Sequence, residues 1–220
     1  MKVLAFDCSG AACSAAVVVD DRPAAQRFVL MERGHAEALL PMIESVLREA
    51  ALSPAGLDLL AVTIGPGSFT GLRIGLAAAR GLALARRLPA IGVASFDAIV
   101  AEGGAAQPLF IALESKRAEL FLARRDRADP RLPALVPAEE WAKILPPGPC
   151  CLAGDGAARL AAALERRDLT VLPGHGRPDP VELARLGARR WQAGDRTALM
   201  PLYLRAPDTT TPRQTAPVTP

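Results

Sequence analysis

The chain has 220 residues, half of them hydrophobic, and a formal net charge of +3. That much apolar material supplies a sizeable core and excludes a disordered chain or a fibrous repeat. The charge is too small to demand a nucleic-acid or membrane partner by itself. Aromatic residues make up 4% against 43 alanines, so the core is built from small aliphatic side chains packed closely.

The opening Met1-Lys2-Val3-Leu4-Ala5-Phe6-Asp7 is broken by an aspartate before it reaches the length of a signal-peptide core. No uncharged apolar run approaches the roughly 18 residues of a membrane span. The four cysteines, Cys8, Cys13, Cys150 and Cys151, form no CxxC pair and read as buried small hydrophobes in a reducing compartment. The expectation is a cytoplasmic protein with no membrane partner.

Taken in order, Val3–Phe6, Cys13–Val19 and Gln26–Glu32 predict three short strands in an antiparallel meander, turned at Asp7-Cys8-Ser9-Gly10 and at Asp20-Asp21-Arg22-Pro23. Ala36 to Ala51 predicts a helix, with Leu39, Ile43, Val46, Leu47 and Ala50 at helical spacing and Pro41 in its first turn or kinking it. Leu59–Ile64 is a continuous apolar run, as expected of a strand buried on both faces. It leads through Gly65-Pro66-Gly67-Ser68-Phe69-Thr70-Gly71 into a long small-residue helix from Leu72 to Arg87, then a strand at Ile91–Val93. The second half predicts a strand pair at 109–113 and 119–124, a short helix at 138–145, a strand at 150–153, and helices at 157–166 and 181–193. Strands followed by helices occur twice, which predicts two related α/β lobes with helices on mixed sheets. The expected division is 1–102, 103–207 and a disordered tail at 208–220, rich in Thr and Pro.

Two loops carry candidate chemistry. Asp7-Cys8-Ser9-Gly10 reads either as an ordinary turn or as a carboxylate holding a hydrated Mg²⁺ beside a phosphate; Asp7, Ser9 and Gly10 are the residues of that possible nucleotide loop. The Gly65–Gly71 loop resembles a phosphate cradle at a helix N-terminus, with Ser68 or Thr70 as cap, but it is neither a Walker A motif nor GxGxxG. Gly71, Gly75 and Ala79 then recur every four residues. A glycine stripe costs helix propensity, about 1 kcal/mol per Gly, and is sensible only where another helix approaches closely. That helix belongs either to the same chain or to a partner. Catalytic constellations are thin: His35 is followed by Leu39 where a second ligand of His-x-x-x-His would stand, and His175 lies in a turn-rich loop without a nucleophile elbow.

At these residues the chain resembles the bacterial TsaB (YeaZ) proteins of tRNA threonylcarbamoyladenosine (t6A) synthesis. The resemblance rests on Gly65–Gly75, the strand-Asp7-x-Ser9-turn-strand, the His35–Leu47 helix with its Leu-Leu-Pro-Met core, and Pro201-Leu-Tyr203-Leu-Arg205. Where an Asp-Ala-Arg-x-x-Glu-like stretch belongs, this chain has Glu114-Ser115-Lys116-Arg117-Ala118-Glu119, which keeps Arg117 and Glu119 without the leading Asp. The resemblance implies a two-lobed actin/hexokinase-like (ASKHA, ribonuclease H-like) α/β fold. It also implies a non-catalytic subunit that pairs through N-lobe helices with a TsaD homologue, or with itself as a homodimer when alone. The TsaE-type ATPase joins the larger complex, tRNA is met only through that complex, and ATP and a metal sit on partner subunits, with no cofactor of this chain's own. The implied partner interface is Leu39, Ile43, Leu47, Gly71, Leu72, Gly75, Leu76 and Ala79. The alternatives are a stand-alone small-molecule kinase of the same fold, using Asp7 and Gly154-Asp155-Gly156, and a metallopeptidase.

Overall fold

The computed structural model of the chain describes residues 1–99, 108–126, 128–174 and 176–205. The expected lobe boundary at 102/103, His175 and the 208–220 tail lie outside them. The first sheet begins with β1 (Lys2–Gly10), β2 (Ala12–Val19) and β3 (Arg22–Leu30), an antiparallel meander. Asp20 and Asp21, both at positive φ, close its second turn. β3 starts four residues earlier than the sequence predicts. It lies at the sheet edge, where Pro23 needs no second ladder partner. Helix α1 (His35–Glu49) leads to β4 (Leu59–Gly65), and α2 (Phe69–Arg86) to β5 (Ala90–Ala94). β4 and β5 run parallel to β1, giving the order β3-β2-β1-β4-β5.

The same plan repeats. β6 (Leu109–Glu114), β7 (Leu120–Arg124) and β8 (Ala134–Val136) form a second meander. Helix α4 (Trp141–Ile144), β9 (Cys150–Ala153), α5 (Ala157–Leu164) and β10 (Leu169–Val171) follow, with β9 parallel to β6. The order β8-β7-β6-β9-β10 matches the first sheet strand for strand. Two sheets of one topology, each three antiparallel strands extended by two parallel ones, make the actin/hexokinase-like fold.

Each face of the first sheet has its own cover. Leu4, Phe6 and Cys8 of β1 face α1 and α2 with Leu39, Ile43 and Leu76, while Val3 and Ala5 face α6 (Pro180–Gln192) with Val181, Leu183 and Ala184. Alternation along a strand produces this split. Small residues then let the helices in close: a Cβ at Gly187 would come 2.6 Å from Ala61 Cβ, so α6 lies almost on the backbone of β4. The second sheet packs one face on α4 and α5. Its other face meets Phe96 and Ile99 of the short helix α3 (Ser95–Ile99).

Two sequence expectations are corrected here. Residues 180–192, assigned to the second lobe, pack on the first sheet, because the apolar face of α6 fills the side that α1 and α2 leave open. The stripe expected to meet a partner is internal. Leu39, Ile43, Leu47, Gly71, Leu72, Gly75, Leu76 and Ala79 are all buried under α1 and α2 against β1, β2 and β4. A Cβ on Gly71 would fall well inside 3.0 Å of the Cys8 carbonyl oxygen, so the glycine there lets α2 approach its own sheet.

Candidate functional site

The two topologically equivalent hairpins, β1–β2 and β6–β7, point their tips at one cleft of about 750 Å³ between the lobes. One wall is Ser9-Gly10-Ala11 with Pro66-Gly67-Ser68-Phe69-Thr70; the other is Glu114-Ser115-Lys116 with Phe121 and Asp155. Leu202 to Arg205 close one side. The expected loops therefore converge, Ser9 and Gly10 with Pro66 to Thr70, while Gly65 and Gly71 stand outside the lining.

That loop is held by backbone. Ser68 N donates to Ser9 O at 2.7 Å, Leu72 N to Ser68 O at 2.9 Å, and Gly71 N to Ser68 Oγ at 3.3 Å. Ser68 is thus the N-cap of α2, as a hydroxyl residue at that place should be, and the helix starts at Phe69. Gly67 and Gly71 are needed because a side chain at either would strike the carbonyl oxygen of Ser9 or Cys8. In the second lobe Gly154, at φ +97, lies as close to the Ala112 carbonyl, and Asp155 Oδ1 accepts from Glu114 N at 2.9 Å.

Asp7 does not face the cleft. It is 1% exposed, and its Oδ1 accepts from Ser9 N at 2.9 Å and from Thr63 Oγ1. Burial raises its pKa above the usual aspartate value, against the lowering effect of those hydrogen bonds. A carboxyl that is enclosed and spent on its own turn and on Thr63 does not suit a hydrated Mg²⁺; it holds the hairpin. Ser9 Oγ accepts from Ser95 Oγ at 3.3 Å, which joins the turn to α3. His35 Nε2 lies 3.1 Å from Gly10 O, and Leu39 is fully enclosed in the core. Among the described residues no group of three His, Cys, Asp or Glu is placed to hold a metal ion.

Charge in the cleft is mixed: Glu32, Glu114 and Asp155 against Lys116, Arg177 and Arg205. Burial raises the Glu114 pKa, and the Arg159 guanidinium, 3.0 Å away, partly offsets it. Arg159 also donates to the carbonyls of Arg117 and Glu119 at 3.0 Å, so it sets the shape of the second hairpin tip.

Composition gave no hint of the segment from Thr197 to Arg205, although Pro201–Arg205 carries a recognisable pattern. It straps the lobes together. Gly92 N donates to Thr197 O at 2.9 Å, Arg80 to Leu199 O, and Leu202 N to Ile64 O at 2.7 Å. Tyr203 then packs on Phe69, ring centres 5.4 Å apart, and its hydroxyl accepts from Arg73 Nε at 3.3 Å. Arg205 reaches across to Glu119 at 3.2 Å.

Outside the cleft, the outward faces of α1 and α2 differ in sign. α1 exposes Glu37, Glu44 and Glu49 beside Arg48, and the exposed Arg27 pairs with Glu49. α2 exposes Arg73, Arg80 and Arg86 with no acidic residue along its length, and Leu84 is 85% exposed.

A family model for TsaD, tRNA N6-adenosine threonylcarbamoyltransferase, matches residues 29–135. Rv3421c of Mycobacterium tuberculosis is 36% identical over 94% of this chain and 92% of its own. The Escherichia coli tRNA threonylcarbamoyladenosine biosynthesis protein TsaB is 37% identical over 58% of this chain and 56% of its own length. Its Bacillus subtilis counterpart is 26% identical over 93% and 94%. The solved structure of YeaZ from Pseudomonas aeruginosa superposes with a TM-score of 0.77 at 25% identity, covering 92% of this chain and 99% of that one.

Proposed function

The chain belongs to the TsaB (YeaZ) family, and from that premise we propose that it is a subunit of the machinery that forms t6A on tRNA, acting as a non-catalytic support for a TsaD-type transferase. The observation that carries the non-catalytic reading is the fate of the acid and histidine positions. Asp7 is enclosed and engaged by Thr63 and Ser9, His35 meets a backbone carbonyl, and Leu39 lies in the core. An ASKHA-type phosphotransferase would need a carboxylate facing its cleft from that strand end, so the same observation disfavours a stand-alone kinase.

The partner surface in this reading is the outer face of α1 and α2, not the buried stripe beneath it. Exposed Leu40 and Leu84 supply apolar contact, and the acidic α1 and basic α2 suit a two-fold or pseudo-two-fold pairing that sets α1 of one lobe against α2 of the other. A TsaD homologue takes that place in the working complex, and a second copy of this chain takes it when TsaD is absent. A TsaE-type ATPase joins them, tRNA is contacted through the assembly, and the assembly works in the cytoplasm. ATP and metal belong to the partner subunits. No helix among the described residues is long and apolar enough to cross a membrane.

Reconstitution tests the reading. With the TsaD and TsaE homologues, threonylcarbamoyl-adenylate and an ANN-decoding tRNA, t6A measured by nucleoside mass spectrometry should appear only when this chain is added. Asp7→Asn should support it as well as the natural chain. Equal t6A without this chain would overturn the proposal.

A further inference from the structure

Two of the four cysteines face one another. Cys8 and Cys13 belong to the same core beneath α1 and α2, with their Sγ atoms 3.6 Å apart. They meet because β1 and β2 are paired at Asp7–Ser14 and again at Gly10–Ala12, and both cysteines fall in the irregularity between. From 3.6 Å, the two sulfurs need to close by only about 1.5 Å to reach the roughly 2.05 Å of a disulfide. Cys150 and Cys151 are different: they are adjacent on β9, and their side chains enter opposite cores.

We propose that Cys8 and Cys13 are a redox-modification site that closes to an intrachain disulfide when the protein meets hydrogen peroxide. The Cys13 thiolate attacks a peroxide oxygen; the O–O bond breaks, hydroxide leaves and is protonated to water, and Cys13 becomes a sulfenic acid. Cys8 then gives up its proton and attacks the Cys13 sulfur. The S–S bond forms, the S–O bond breaks, and a second water leaves. Two thiols lose two electrons in all, and the peroxide gains them. The thiol–thiol hydrogen bond favours this division of labour, since it holds Cys13 below and Cys8 above the ordinary thiol pKa. Both thiols are buried, so the oxidant must be small; over Cys8, α2 presents Gly75, where a Cβ would lie 3.9 Å from Cys8 Cβ.

Closure acts on the site already described. The bridge spans the tip Ser9-Gly10-Ala11, which forms one wall of the cleft, and the Ser9 carbonyl beside it holds Ser68 at the head of α2. Oxidation therefore fixes the hairpin against the Gly65–Gly71 loop, and it does so whichever partner the α1–α2 face takes.

The test uses the natural full chain. After reductant is removed, the protein is exposed to hydrogen peroxide, quenched in acid, and alkylated with iodoacetamide in denaturant. Trypsin cuts after Lys2 and Arg27 but not between Arg22 and Pro23, so one peptide, Val3–Arg27, holds both cysteines and no other. The expected result is that this peptide is two hydrogen atoms lighter and unalkylated, that dithiothreitol reverses the change, and that a Cys150→Ser, Cys151→Ser variant behaves identically. Full alkylation of Val3–Arg27 after peroxide, or addition of oxygen to either sulfur without loss of the two hydrogens, overturns the proposal.

Discussion

Gly71 and Gly75 lie one turn apart on the same buried face of α2, yet alanine should act on them with opposite sign. At Gly71 the new methyl would fall well inside 3.0 Å of the Cys8 carbonyl oxygen and 3.4 Å from Ser68 Cβ. A backbone carbonyl cannot swing aside as a side chain does, so α2 or β1 must move. Overpacking costs about 1–3 kcal/mol, and with an unyielding obstacle we take the upper end, about 3 kcal/mol. At Gly75 the methyl meets Val62 Cγ2 at 3.8 Å and Cys8 Cβ at 3.9 Å, both ordinary van der Waals contacts. It also removes the helix penalty of glycine, a gain of about 1 kcal/mol. For a chain of this size 1 kcal/mol shifts the melting midpoint by about 2–4 °C. Gly71→Ala should therefore melt about 6–12 °C below the natural protein, and Gly75→Ala about 2–4 °C above it. Differential scanning calorimetry on the three proteins decides it. A Gly71→Ala protein as stable as the natural one, or a Gly75→Ala protein that loses stability, would refute the placement of α2 on β1 and β4.

Three further outcomes follow from the same geometry. Asp7→Asn keeps an acceptor for Ser9 and Thr63, and because burial raises the folded-state pKa, the carboxyl's stabilising contribution is full below the ordinary value of 3.8 and is lost as pH rises through the folded value. The natural protein should thus lose ground to Asp7→Asn as the pH is raised above about 4 in parallel thermal melts, whereas curves that stay parallel would contradict the burial. Leu84→Asp, on a residue 85% exposed, should leave stability within about 0.5 kcal/mol while weakening binding to the TsaD homologue at least tenfold, about 1.4 kcal/mol. Tyr203→Ala removes the ring that packs on Phe69 and accepts from Arg73, so limited trypsin digestion should cut faster after Arg196, at the start of the strap; an unchanged rate would mean the strap is held by its backbone bonds alone.

Much of the first lobe was legible because its signals are local. The apolar run Leu59–Ile64, the spacing of Leu39, Ile43 and Leu47, and the turn at Asp20-Asp21 each name their own structure. The duplication was visible only as strands followed by helices, since β8 and β10 have three residues each, too few for a periodic pattern. The destination of α6 was hidden because amphipathicity shows that a helix has a buried face without saying which sheet it covers. The stripe of Gly71, Gly75 and Ala79 misled for a related reason: small residues report a close approach, and the sequence does not say whether the neighbour is the same chain. Asp7 was ambiguous between turn and ligand until Thr63, far away in sequence, supplied the donor that occupies it.

The central claim is that this chain supports a TsaD-type subunit through the outer face of α1 and α2. Titration calorimetry against the TsaD homologue of the same organism tests it most directly. Saturable one-to-one binding, lost or weakened at least tenfold in Leu84→Asp, is the predicted result. No heat of binding between two folded partners with nucleotide supplied, or binding indifferent to Leu84→Asp, would contradict it.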